Sequence, residues 1–181
     1  IQQEGNTNFK DLLGKIEKLC SGLNIPVGVK EVGWGIAGDV AKRLTEVGVS
    51  FIDVAGAGGT SWSQVEKFRS KEKIKKEAAE AFSDWGIPTV ECIMSVREQL
   101  PEQTIIASGG IRTGVDAAKA IALGANHVGI ARSILKQATE SPEAVMEVMA
   151  TRELELQMAM FGIGAANIKE LRETNRVLFT R

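Results

Sequence analysis

The stretch Ala107-Ser108-Gly109-Gly110-Ile111-Arg112 decides the fold, together with Gly129-Ile130-Ala131-Arg132 a short way downstream. Each follows a short β-branched run, Thr104-Ile105-Ile106 in one case and His127-Val128 in the other. Each precedes a helical pattern. Two consecutive strand ends that offer glycine and bare backbone N–H point to a shared grip on a phosphate. In eightfold parallel α/β barrels that grip lies after strands seven and eight. Outward from this stretch the question is what the rest of the chain supplies.

Four strand-like runs are flanked by glycine: Val27 to Val32, Phe51 to Ala55, Thr104 to Ala107 and His127 to Ile130. Between the first two, Ile36, Val40, Leu44 and Val47 fall on one helical face, and Gly48 suits the C-cap. Thr113 to Leu123, closed by Gly124, repeats the arrangement between the last two. Alternating βα units imply a parallel sheet. The gap between strands two and three exceeds one such unit by Gly58 to Trp85, with a charged run from Lys67 to Glu80. That excess reads as a solvated helix or as a lid leaving from the binding side. Pro88 to Leu100 then reads as the regular helix of the unit. Ser141-Pro142-Glu143 starts a long, Met-rich final helix that stops near Gly162-Gly164; its methionines are expected to pack. Asn167 opens a last short helix, and Phe9 to Leu19 leads into strand one. Four βα units are half of an eightfold barrel. A four-strand half exposes two edges, so the expectation is a missing half, a pairing of two copies, or a different open sheet.

With 181 residues, 44% of them hydrophobic, the chain suffices for one domain with a core, read as residues 1–181. A formal charge of -1 lacks the basic excess of a nucleic-acid binder. No apolar run reaches membrane-spanning length and no signal peptide precedes Ile1, so a cytoplasmic protein is expected. Cys20 and Cys92 lack CxxC spacing and read as buried, reduced thiols.

Lys30 ends strand one, where an ammonium group needs an anion or a polar ligand edge, or else snorkels outward. Asp53 in strand two is its candidate ion-pair partner. Gly56-Ala57-Gly58-Gly59-Thr60-Ser61-Trp62 follows strand two, so backbone, hydroxyls and an indole face all approach a ligand there. Gly109, Gly110 and Arg112 present donors and charge ahead of a helix, and Ala131 and Arg132 take the matching place after the next strand. His127, the single histidine, opens a strand away from the ligand end and reads as a core or bottom-face residue. No nucleophile–histidine pair remains, so chemistry must lean on a cofactor.

These residues together resemble the type 2 isopentenyl-diphosphate isomerase family, flavin enzymes on a TIM barrel. The resemblance is carried by Val29-Lys30-Glu31-Val32-Gly33, by Ile52-Asp53-Val54-Ala55-Gly56 with Gly58-Gly59-Thr60-Ser61-Trp62, and by Trp85-Gly86-Ile87-Pro88-Thr89. It continues through Ala107 to Gly114 and the tail Met158 to Arg172. It implies a (β/α)8 barrel of which this chain covers about the last four βα units plus C-terminal helices. It also implies FMN at the barrel mouth, with Lys30 near the flavin ring and Thr60 in contact with it. Gly110, Ile111 and Arg112, with Gly109, Ala131 and Arg132, would hold the FMN phosphate, and Ser61 and Trp62 would lie near flavin and substrate. Isopentenyl and dimethylallyl diphosphate would be interconverted, with reduced FMN as acid and base, NAD(P)H (NADPH) as reductant and Mg2+ on the diphosphate. The family's Gln-Glu pair, which acts on substrate and binds Mg2+, falls before Ile1; Gln3 and Glu4 are no substitutes. The resemblance therefore assigns neither a catalytic residue nor a metal ligand to this chain. Association as a homo-oligomer or with an N-terminal half is expected. Two rival readings are an FMN-dependent 2-hydroxy-acid oxidoreductase, which expects a histidine base at a strand end, and a non-catalytic phosphate-binding half-barrel.

Overall fold

Short β-branched runs between glycines give four parallel strands: β1 (Gly28–Lys30), β2 (Phe51–Asp53), β3 (Thr104–Ala107) and β4 (His127–Val128). The structure is a computed structural model that describes residues 5–178. The strands lie in chain order, β1-β2-β3-β4, each pairing in parallel with the next. That order fits one wall of a barrel; a doubly wound sheet reverses order at its switch point. Strands β1, β2 and β4 are shorter than the expected runs, because pairing stops where the loops bend into the site.

Helices fill the connections: α1 (Leu12–Gly22), α2 (Gly38–Glu46), α3 (Trp62–Arg69), α4 (Lys73–Glu80), α5 (Thr89–Gln99) and α6 (Gly114–Ala122). A 3-10 turn (Arg132–Ile134) and α7 (Leu135–Ala138) follow Gly129–Ala131 and lead into α8 (Pro142–Ile163) and α9 (Ile168–Arg172). Alternation along the strands sends Ile52, Val54, Ile105 and Ala107 toward the helices, where all are fully buried with Ala41, Ile93 and Val96. On α2 it is Ala41 and Leu44 that face the core, while Val40 is exposed, one step from the expected stripe. The other sheet face carries Lys30, Phe51, Asp53, Thr104, Ile106 and His127, all partly or fully exposed. Of the two readings of His127, core or bottom face, the core one falls: it is exposed at the start of β4 and pairs with Ile106, while its neighbour Val128 packs toward the helices.

The 58–85 insertion is a helical hairpin, α3 against α4. Ser63 Oγ donates to Phe82 O at 3.1 Å and Gln64 Nε2 to Ala79 O at 3.0 Å. Phe82 stacks on Trp34 and meets Trp85 edge-on, pinning the hairpin's base to the loop after β1. Cys92 is buried, and burial pushes its thiol up to about 11, so it is inert near neutral pH. Cys20 is also free but only half-buried, because its helix lies at the rim of the sheet.

Long α8 begins as its sequence dictates: Ser141 Oγ accepts from Ala144 N at 3.1 Å, Pro142 takes the first position, and Gly164 closes the helix at φ 70°. Its methionines depart from expectation. Met160 packs inward, but Met146 and Met158 are 70% and 66% exposed.

At α6 a capping box forms: Thr113 Oγ1 accepts from Asp116 N at 3.1 Å, and Asp116 Oδ2 accepts from Thr113 N at 3.0 Å and Arg112 N at 3.1 Å. Burial raises the Asp116 pKa, but the hydrogen bonds from Thr113 and Arg112, with nearby Lys119, outweigh it and hold the carboxyl below its ordinary value. A depressed carboxylate pKa contributes stability above the unfolded value of roughly 4, and that stability is lost as pH falls through the folded value. Asp116→Asn should therefore cost about 0.5–2 kcal/mol at neutral pH and lose that deficit on acidification. Urea melts of both proteins across the acid range check it; parallel pH profiles refute it.

Candidate functional site

Parallel pairing delivers all four strand ends to one side, and there the loops enclose a cavity of about 720 Å3. Its walls are Lys30, Val32 and Gly33 after β1; Asp53, Ala55, Gly56, Gly59, Thr60 and Trp62 after β2; Ser108 to Arg112 after β3; and Gly129 to Ser133 after β4. Lys30, Thr60, Gly109, Gly110, Ile111, Arg112, Ala131 and Arg132 thus line one cavity, as does Trp62. Ser61 does not: its Oγ is 2.9 Å from Ser63 Oγ, turned into the start of α3. Three cations, Lys30, Arg112 and Arg132, face a single carboxylate, Asp53, so the cavity favours an anion.

Glycines make the cavity's floor. Gly109 and Gly110 adopt φ 96° and 90°. A Cβ on Gly109 would meet Gly56 O at 2.1 Å, and one on Gly110 would meet Gly58 O at 2.5 Å. A Cβ on Gly59 would stand 3.0 Å from the Gly110 amide nitrogen. The two glycine loops therefore interlock backbone to backbone, and bare glycine leaves the Gly110 amide uncovered. Thr89, at the start of α5, clamps them: its Oγ1 donates to Gly109 O at 2.6 Å.

The amides of Gly110 and Ile111 donate to no acceptor among the described residues. The helix end behind them is committed elsewhere. Arg112 and Thr113 amides go to Asp116, and Gly114 N donates to Glu155 Oε2 at 2.6 Å. The uncommitted amides beside the cavity are thus those of the loop, Gly110 and Ile111, and not those at the start of α6. Adjacent N–H groups in a left-handed turn form an anion-binding nest.

Carboxylates shape the other rim. Glu31 Oε2 accepts from the amides of Gly33, Trp34 and Gly35 at 2.6, 2.5 and 3.1 Å, folding the loop after β1 back on itself. Lys30 and Asp53 are register partners, yet the candidate ion pair is not formed. Asp53 Oδ1 accepts from Ser108 Oγ at 2.6 Å and Ala55 N at 3.2 Å, while Lys30 Nζ donates to Glu31 O at 2.6 Å. Lys30 is exposed, so its ammonium is available to a ligand. Ala55 holds φ 38° at this bend, a left-handed conformation that costs about 1–3 kcal/mol outside glycine. The clamping roles of Glu31, Thr89 and Ser108 escaped sequence reasoning, since a carboxylate or hydroxyl beside a glycine loop has no distinguishing pattern until the loop is folded. Among the described residues, no group of three or more His, Cys, Asp or Glu side chains is placed to hold a metal ion, and no helix is long and apolar enough to cross a membrane.

Comparison with known proteins adds names to this geometry. Residues 3–177 match the family described as FMN-dependent dehydrogenase. An isopentenyl-diphosphate delta-isomerase of Oceanobacillus iheyensis is 62% identical over 98% of this chain and 51% of its own length. One of Vibrio campbellii is 48% identical over 98% of the chain and 52% of its own length. The chain spans about half the length of the curated relatives it matches. Among solved structures, a lactate oxidase of Pediococcus acidilactici superposes with a TM-score of 0.73 at 20% identity, covering 96% of this chain and 42% of that one. An active chimera of (S)-mandelate dehydrogenase gives 0.72 at 19% identity, covering 94% and 41%. These distant likenesses identify the fold as part of a TIM barrel. Family match and barrel wall agree: the chain belongs to the FMN-dependent dehydrogenase family.

Proposed function

We propose that this chain forms the phosphate-gripping part of an FMN-dependent isomerase that interconverts isopentenyl diphosphate and dimethylallyl diphosphate. What carries the reading is one cavity in which unpaired Gly110 and Ile111 amides, two arginines and an exposed lysine face the same space. The identity to relatives named isopentenyl-diphosphate delta-isomerase supports the choice of reaction. The oxidases and dehydrogenases that share the fold are too distant to favour the rival 2-hydroxy-acid chemistry.

The residues fit FMN. Gly110 and Ile111 amides with Arg112 and Arg132 take the phosphate, Ala131 lets it approach, and Gly109 sets the turn. Lys30 Nζ would offset negative charge on the reduced ring, and Thr60 would meet the flavin from the loop after β2. When bound, reduced FMN supplies the acid–base chemistry at the allylic carbons. Trp62 walls the substrate side and excludes water there, and the α3–α4 hairpin that it opens serves as a lid on a single domain. Ser61, its hydroxyl engaged with Ser63 at the start of α3, takes no direct part in this reading. NADPH belongs to this reading as reductant, and Mg2+ as counter-ion of the diphosphate, held by groups outside this chain. A cytoplasmic setting and association with further βα units complete it.

Titration with FMN and riboflavin tests the grip. FMN should bind the chain well ahead of riboflavin, which lacks the phosphate, and Arg132→Ala should weaken FMN about tenfold to a hundredfold while leaving riboflavin unchanged. Equal affinity for the two flavins contradicts the site. Gly110→Ala should abolish the FMN preference and cost roughly 1–3 kcal/mol, because its Cβ has only backbone to meet.

For the reaction, the chain joined behind the upstream segment of the Oceanobacillus iheyensis relative should convert isopentenyl diphosphate when FMN, NADPH and Mg2+ are supplied. A flavin-loaded fusion that oxidises lactate and leaves isopentenyl diphosphate untouched sinks the isomerase reading.

A further inference from the structure

The loop that floors the cavity has a second face. Behind Gly109-Gly110-Ile111-Arg112, between α5 and α6, lies a groove of about 350 Å3. Those four residues line both spaces, so the loop is the partition between them. The groove's volume falls in the range of small-ligand sites, about 300–1,000 Å3.

Its origin is in how the helices pair. α5 packs on α2 and α6 packs on α8, while α5 and α6 scarcely touch each other. At the far end Arg97 of α5 bridges the gap, donating to Gly124 O through Nε at 3.0 Å and Nη2 at 2.6 Å. Near the partition the facing side chains are too small to meet: Ala120 is a bare methyl, and Val90 stays 44% exposed. The groove thus lies between two inner helices, each backed by another helix of this chain.

Its walls are polarised along the helix axes. Arg112 in the partition and Lys119 on α6 bring two cations to one end. Both are exposed, and neither side chain forms a hydrogen bond or ion pair among the described residues. Asp116 is the one carboxylate in the wall, and its Oδ2 is already held by the amides of Arg112 and Thr113. Below Lys119 the wall is apolar, with Val90 and Ile93 on α5 facing Ala120 and Leu123 on α6. From Lys119 to Leu123 the helix rises about 6 Å, which matches a chain of a few carbons.

Cations at one end and hydrocarbon at the other suit a phosphate ester of a short alkyl or alkenyl chain. We propose that the groove between α5 and α6 binds such an ester, its head on Arg112 and Lys119 and its chain between Val90 and Leu123, and that filling it loosens an anion held in the main cavity. The coupling runs through Arg112, which lines both spaces and cannot serve two phosphates at full strength. By linkage each ligand then weakens the other by the same factor. Binding in the groove requires no flavin, so its failure and that of the isomerase reading are read separately.

Hexyl phosphate is the probe. Calorimetric titration of the chain should show saturable binding, with hexanol and inorganic phosphate each weaker by about tenfold or more, since each fills only one part of the groove. Lys119→Ala, and separately Val90→Trp, should weaken hexyl phosphate by about tenfold and leave affinity for FMN and riboflavin as in the wild type. The two substitutions lie on opposite walls at exposed positions, so a folding defect in one leaves the other to decide. Hexyl phosphate that fails to bind at millimolar concentration overturns the proposal, and so does binding that neither substitution weakens. A chain that ignores hexyl phosphate but sediments with vesicles containing phosphatidic acid overturns the assignment to a free ester. In the presence of FMN, rising hexyl phosphate should raise the apparent Kd for FMN to a plateau that Lys119→Ala removes. A rise without limit marks direct competition in the main cavity and refutes the coupling of two sites.

Discussion

The site depends on two glycine loops touching backbone to backbone. Gly56 to Gly59 leaves β2 and Gly109-Gly110 leaves β3, and neighbouring parallel strands bring these ends together. The gap is too small for any Cβ: one on Gly56 would meet Thr89 Cα at 2.4 Å, as one on Gly109 would meet Gly56 O at 2.1 Å. Thr89 fastens the pair through Gly109 O, and Ser108 Oγ fastens the strand below through Asp53. The cavity floor is therefore main chain, held by close packing rather than by long side chains. Such a floor resists rearrangement, since a shift in one loop displaces the other.

Legibility followed from how local each determinant is. β3 was read residue for residue, and the caps at Ser141, Asn167 and Gly48 were legible because a cap depends on its own neighbours. Most of the cavity wall was legible too, because strand order sends every loop to one end once the βα alternation is seen. What failed needed the third dimension. Val40 and Ala41 are adjacent on α2, and only packing against α5 decides which is buried. Lys30 and Asp53 are partners in register, but Ser108 from a third strand takes the carboxylate first. His127 begins a strand, and the position alone does not say which sheet face its side chain takes.

The open flanks and the shallow floor have one cause. Each βα unit buries its strand beneath its own helix, as Ile52, Ile105 and Val96 do. The lumen face and the rims have no helix over them among the described residues. A four-unit wall can therefore possess a complete outer core while its inner face stays half-wet. That is why hydrophobic residues such as Phe161 stand exposed on helices that are otherwise well formed.

The electrostatics of the grip follow from the capping of α6. Asp116 and Glu155 satisfy the amides of Arg112, Thr113 and Gly114, so the end of the helix is neutralised before any ligand arrives. The groups left facing the cavity are two loop amides and the guanidinium groups of Arg112 and Arg132. The directions of these amides are set by the glycine interlock. The arginines supply most of the charge, and being on the exposed side they are screened by salt. In the proposed grip, position and strength are thus carried by different atoms: the backbone would choose the place, and the side chains would set how tightly a phosphate-bearing ligand is preferred over a neutral one of the same shape.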